Sequence, residues 1–461
     1  MDELREENPL GYEKILKLLR GFAIPSIIAM LVSSLYNVVD QIFIGQGVGY
    51  LGNAATNVAF PLTTICMAIT LTIGIGSAAR FSLYLGRKLE DKAAAVVGNG
   101  VCMMLTFGII YAVIVELFLP YFLKAFGATD EVMPYAMEYT RITAIGMPFL
   151  VVMNGMSNLA RADGSPMYSM ITMVIGAVIN TILDPIFIFI FHMGVAGAAW
   201  ATIIGQIASF LFAIRYLRKF KRVTLRKEHF RLSLKQIGRT ASMGMSNGLT
   251  QVSLTLVQIV INRSFVYYGA LSKYGAEIPL ATSGIIMKVN SIVLAVIIGI
   301  IQGIQPIIGF NYGAKKYSRV RSAYALAVKC ELVITLIGFA VFQIFPRQVL
   351  SVFGTGDELY FEFGILLTHT FLLMLPLNGI QMISSNFFSA IGKPLKGALL
   401  SLTRQVFFLM PLIFILPLFF GIYGVMAAAP AADFTAFIVV MVFITREMNA
   451  MKREEAQLHS E

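Results

Sequence analysis

Residues 176–202, GAVINTILDPIFIFIFHMGVAGAAWAT, are almost wholly apolar yet carry Asn180 and Asp184. Four residues apart on a helix, these side chains share one face. A carboxylate inside a stretch of membrane-spanning length is costly, so it marks a functional site with a partner to be found. The partner in the first third of the chain is Asp40, within SLYNVVDQIFIGQ. Together with Asn154 and Thr202, these residues supply carboxylate, amide and hydroxyl oxygens. Hard cations such as Na⁺ take oxygen ligands, and two neighbouring carboxylates in a low-dielectric site also hold protons. The set serves H⁺, Na⁺ or both in turn, and composition does not choose between them.

The elements that must position this set are membrane helices. The chain has 461 residues, 57% of them hydrophobic and only 13% charged, against about a quarter charged in soluble domains. Spans of about 20 apolar residues are expected at 20–44, 53–80, 93–119, 138–160, 167–191, 195–217, 236–267, 278–309, 321–345, 360–389, 395–419 and 423–446. Most of the 36 Lys and Arg fall in alternate connections, while Lys124, Arg263, Lys273 and Arg347 alone lie in the intervening loops. That asymmetry predicts twelve helices with both ends cytoplasmic. The net charge of +11 is thus a matter of membrane topology, and nucleic acid is not an expected partner. Cys66, Cys102 and Cys330 have neither disulfide nor metal spacing, and no phosphate loop, HExxH or CxxC is present. No enzymatic activity and no cofactor are expected.

An internal repeat divides the chain. GSAARFSLYLGRK at 76 and GIQPIIGFNYGAK at 303 stand 227 residues apart; SNLARADGSP at 157 and SNFFSAIGKP at 385 stand 228 apart; GVAG at 194 and GIYG at 421 stand 227 apart. Six spans per half is an even number, so the halves are parallel repeats about an axis along the membrane normal. The expected organisation is an N-terminal tail (1–19), an N-lobe (20–217), a basic connector (218–235), a C-lobe (236–446) and a C-terminal tail (447–461). The connector reads as a basic amphipathic helix on the membrane surface. The second half has mostly apolar residues where the first has the oxygen set. Prolines kink membrane helices, and Pro25 and Pro185, near the acids, are the candidate hinges. Tyr36, Met153, Met287, Lys288 and Gln302 are the candidate cleft-lining residues, methionine because it adapts to varied ligands. Glu331 and Asp433 are the expected neutralisers of Lys288 and Arg404.

In their order and spacing, PSIIAMLVSSLYNVVDQIFIGQ, SNLARADGSP, NTILDPIFIF, GVAGAAWATIIGQ and the two-fold repeat resemble the multidrug and toxic compound extrusion (MATE) family over nearly the whole chain, most closely its DinF-type branch and MepA-like members. The resemblance implies a V-shaped twelve-helix exporter of cationic or amphipathic drugs in a bacterial plasma membrane, acting as a monomer by alternating access against H⁺ or Na⁺. It also implies an N-lobe cation site at Asp40, Asn180, Asp184, Thr202 and the backbone of Ala198, with Asn154 alongside. The acids that another branch carries in spans 7 and 10 are missing here, where Gln251, Gln258, Asn262, Asn378 and Gln381 stand instead. The alternative within transport is a flippase for a lipid-linked precursor, which calls for a more cationic cleft.

Overall fold

A computed structural model describes residues 8–353 and 358–460, so the first seven residues of the expected N-terminal tail lie outside the described residues. Every regular element among the described residues is helical. The first half comprises α1 (Ile15–Gly47), α2 (Tyr50–Gly86), α3 (Glu90–Ala125), α4 (Met133–Ala162), α5 (Pro166–Pro185) and α6 (Gly194–Arg215). The second comprises α7 (Leu234–Ala270), α8 (Glu277–Gly313), α9 (Tyr317–Ile344), α10 (Pro346–Phe353), α11 (Glu358–Phe371), α12 (Leu375–Ala390), α13 (Pro394–Leu402), α14 (Met410–Phe420) and α15 (Ile422–Ser460). Wide π-helical turns follow α5 at Ile186–Ile190 and join α13 to α14 at Thr403–Leu409. Eleven spans are long and apolar enough to cross a membrane, and α11 with α12, bent by 45°, completes twelve when counted as one broken span. The chain is an all-α, multi-pass membrane protein.

The repeat is written into the backbone. Lys88 and Lys315 are two of the three non-glycine residues with positive φ among the described residues, at 58° and 59°. Gly164 and Gly392 (86° and 81°) and Gly194 and Gly421 (60° and 56°) form two more such pairs. Each pair stands at the repeat offset, so corresponding turns in the two halves use the same left-handed residue to leave one helix and enter the next.

The halves meet along α1 with α8 and α2 with α7, two contacts that the repeat interchanges. Close approach requires the absence of side chains. A Cβ on Gly303 of α8 would lie 2.6 Å from Ala23 Cα of α1, and one on Gly244 of α7 would run into the Thr72 carbonyl of α2. Both contacts lie toward the helix ends nearest the connector, so the halves are closed on that side. Pro25 is buried beside this seam in an otherwise continuous α1, and the Ser26 hydroxyl donates to the Phe22 carbonyl one turn back at 2.8 Å.

The connector differs from the expected amphipathic surface helix. Only short 3₁₀ turns form, at Tyr216–Arg218 and Lys227–His229. The reason is a set of specific anchors on the first half. Asp163 accepts from Tyr216 Oη and Lys221 N, both at 2.7 Å, and from Arg222 N at 3.1 Å. Burial pushes its carboxyl up to about 6, against the pull of those donors. Asn99 donates to the Arg231 carbonyl at 2.8 Å, and the buried His229 meets Asp91 at 3.2 Å. The connector's backbone is satisfied by side chains of the first half instead of by a helix of its own. At the termini, helix extends into both expected tails, from Ile15 at one end and as far as Ser460 at the other.

Within α8 the seam can be probed against its own control. Gly303→Ala is expected to destabilise the protein by about 1–3 kcal/mol through overpacking. Gly284→Ala, where no atom lies within 4 Å of the added carbon, is expected to be neutral or up to about 1 kcal/mol stabilising. Thermal unfolding midpoints of the two variants check this.

Candidate functional site

Asp184 ends the last full turn of α5, immediately before Pro185 and the π-helical turn. Its side chain has no exposure, while Asn180 is 3% and Asp40 8% exposed. The i, i+4 spacing places Asn180 Nδ2 at 3.2 Å from Asp184 Oδ1, and the same nitrogen lies 3.2 Å from Thr202 Oγ1 of α6. The α5–α6 pair is held close at Gly205, where a Cβ would sit 2.6 Å from the Gly176 carbonyl. From α1, the Asp40 carboxyl lies close enough to that of Asp184 for each to feel the other's charge. The buried Asp40, Asn180 and Asp184 thus gather with the half-buried Thr202 from three helices.

This group has more acceptors than donors. Asp40 Oδ1, Asn180 Oδ1 and Asp184 Oδ2 are buried with no hydrogen-bond partner among the described residues. Buried polar atoms are normally paired, and an orphaned one costs about 1–3 kcal/mol. Three such oxygens around two carboxyl groups fit a small hard cation or protons held on the carboxyls. Among the described residues no group of three or more His, Cys, Asp or Glu side chains could hold a metal ion.

The other residues singled out from the sequence take varied places. Ala198, fully buried, packs with Ile44 and Ile188 on the same face of α6 as Thr202. Asn154 is half-buried on α4, where its Nδ2 donates to the Leu150 carbonyl of its own helix at 3.0 Å. Tyr36 lies close enough to Asp40 and Asp184 to feel both charges, as does Tyr139 of α4. Tyr139 was not among the sequence candidates, and no spacing or composition signal distinguishes it from the other tyrosines. Met153 packs against the core of the first half and Met287 against that of the second, both half-buried.

One expectation about charge needs correcting. Asp433 pairs with Arg404 as expected, but Glu331 does not neutralise Lys288. Glu331 is fully buried against the bare backbone at Gly379, with no hydrogen bond to either carboxyl oxygen. Lys288 is exposed on α8, without a carboxylate partner among the described residues. Gln302 is buried in the seam, where its Nε2 meets Met30 Sδ of α1 at 3.7 Å. It thus joins the halves instead of lining an open space.

Comparison with known proteins gives concordant results. The family model MatE matches residues 25–186 and 248–415, one segment in each half. The multidrug export protein MepA of Staphylococcus haemolyticus (strain JCSC1435) is 26% identical over 99% of both chains, and that of Staphylococcus aureus (strain N315) is 25% identical over 96% of both. Among solved structures, a multidrug resistance MATE family transporter of the MOP superfamily in an outward-facing conformation superposes with a TM-score of 0.89. It is 24% identical, over 96% of this chain and 98% of that one. A MOP superfamily transporter from Pyrococcus furiosus, whose binding pocket of reverse polarity suggests a different function, gives the same identity, coverage and TM-score.

The shared Asn180 amide makes one of the hydrogen bonds that join α5 and α6, beside Ser209 to the Thr172 carbonyl and Tyr168 to the Phe212 carbonyl. Thr202→Val keeps the side-chain shape and removes one of its two acceptors, and is expected to cost about 1 kcal/mol of stability. The unfolding midpoint of the variant, compared with wild type in the same detergent, checks this.

Proposed function

The chain belongs to the MatE family, and on that premise we propose that it is a secondary multidrug exporter that moves cationic or amphipathic drugs out of the cell against inward H⁺ or Na⁺. The observation that carries this reading is the buried carboxyl pair, Asp40 and Asp184, with unpartnered oxygens in helices of membrane-spanning length. Such a pair is stable when cation-loaded and costly when bare. A site of that kind can do work on the protein when its cation binds two conformations unequally.

In the cycle we propose, H⁺ or Na⁺ reaches the pair from outside while the connector side is closed. Asp40, Asp184 and Asn180 hold it, with Thr202, the Ala198 backbone and Asn154 completing the surroundings. Neutralising the two carboxyls removes their repulsion and lets α1 move against α5 and α6. Pro25 and Pro185 are the points of bending, because each lacks the amide that would tie its helix straight. Drug held between the lobes beside Tyr36, Met153, Met287 and Lys288 leaves outward. The seam of α1–α8 and α2–α7 then opens, and the cation is lost to the cytoplasm. The protein is placed in the bacterial plasma membrane as a monomer with both termini inside.

The alternative, a lipid-linked precursor flippase, needs a cationic cleft. Arg404 is neutralised by Asp433, which leaves Lys288 and Arg141 as the candidate cations and weakens that reading.

Ethidium efflux from proteoliposomes, driven by an imposed pH or Na⁺ gradient, tests the assignment. Wild type is expected to respond to one gradient, and Asp40→Asn to lose at least about tenfold of that flux while remaining folded. Undiminished gradient-driven efflux in Asp40→Asn would contradict the role given to the pair.

A further inference from the structure

On the connector side the two halves present a repeat-related pair of turns to one another. Gly86 at the end of α2 abuts the Phe310 carbonyl, and Gly313 at the end of α8 abuts the Leu83 carbonyl. These glycines are 227 residues apart in sequence, so this contact lies on the pseudo-two-fold axis. Beside it opens a cavity of about 1220 Å³. Its walls carry Arg87 and Lys88 from the first half, Lys221 and Arg222 from the connector, and Lys315 and Lys316 from the second half. Glu90 is the one acid among the described residues lining it.

Lys88 and Lys315 hold corresponding positions in the repeat, both left-handed, on either side of this cavity. Arg87, Lys88, Lys221 and Lys315 have no carboxylate partner among the described residues. These four cationic side chains, from three separate segments, line one space and focus a positive potential there, while Lys316 Nζ donates to the Gly11 carbonyl at 3.0 Å.

We propose that this cavity is a binding site for a phosphate-bearing anion of at least two negative charges, which bridges the two halves and holds the connector side closed. Lysine and arginine are the usual partners of phosphate. The site lies at the ends of the spans, so its phosphate is either the headgroup of an anionic lipid or a soluble phosphate compound. Binding requires the two turns to be together, so it favours the closed seam over any state in which they separate.

The test is the unfolding midpoint of the full-length protein in detergent, with inorganic pyrophosphate in one arm and phosphatidylglycerol mixed micelles in the other. Sodium chloride at matched ionic strength and phosphatidylcholine are the respective controls. A rise of about 2 °C or more at saturation, absent from Lys88→Gln/Lys315→Gln, is the expected result. The arm that gives it identifies the source. Arg87→Gln/Lys221→Gln, which leaves both left-handed turns unaltered, is the second variant and is expected to lose the rise as well. No rise in either arm, or a rise that both variants retain, would overturn the proposal. So would binding seen only after deletion of residues 2–7, whose Asp2, Glu3, Glu6 and Glu7 would then be the cavity's own counter-charge.

Discussion

A carboxyl group inside a membrane-length helix bundle cannot be left charged and alone. Asp184 has no exposure, and one of its oxygens lacks a partner. Much of the first half is arranged around this constraint. The i, i+4 amide of Asn180, the hydroxyl of Thr202 and the carboxyl of Asp40 come from three helices, and together they still fall short of satisfying it. In the proposed cycle, that shortfall gives a small cation or a proton a place to bind. A fully paired network would be inert, because adding or removing a cation would change little.

The proposed exchange has a second requirement, that the seam adopt two arrangements. The halves touch through bare backbone at Gly303 and Gly244, and beside it Leu18, Leu19 and Phe22 of α1 share an apolar cluster with Ile297, Ile300 and Ile304 of α8. The buried residues of two other large clusters lie within one half each, so parting the seam would uncover the cluster shared by α1 and α8 and leave those two intact. α1 belongs to both systems. It carries Asp40 toward α5 and α6, and its Ala23–Ile27 stretch, around Pro25, lies in the seam against α8. A change of charge at Asp40 therefore acts on a helix that also forms the contact between the halves, which is the physical link the exporter reading needs.

Much of this was legible in the chain itself, for identifiable reasons. Acids are rare in apolar segments, so Asp40 and Asp184 stood out, and helical spacing tied Asn180 to Asp184. The repeat was visible because its turns need particular residues, and the paired positive φ at Gly164 and Gly392 shows why glycine recurs there. What could not be read was decided by partners far away in sequence. The connector's basic, amphipathic composition suits a surface helix equally well, and it is Asp163 and Asn99 that bind its backbone in another form. Gln302 reads as cleft lining until the seam is seen to bury it, and Tyr139 meets the acids only because α4 packs behind them.

The central claim is that Asp40 and Asp184 hold the cation that is exchanged for drug. The most direct measurement is of protons released by purified, weakly buffered protein near neutral pH when ethidium, or Na⁺, is added. At least one of these additions should release about one proton per chain from wild type, and Asp184→Asn should release none. Ethidium binding detected by fluorescence with no proton release from wild type by either addition, or with equal release from the variant, would contradict the account.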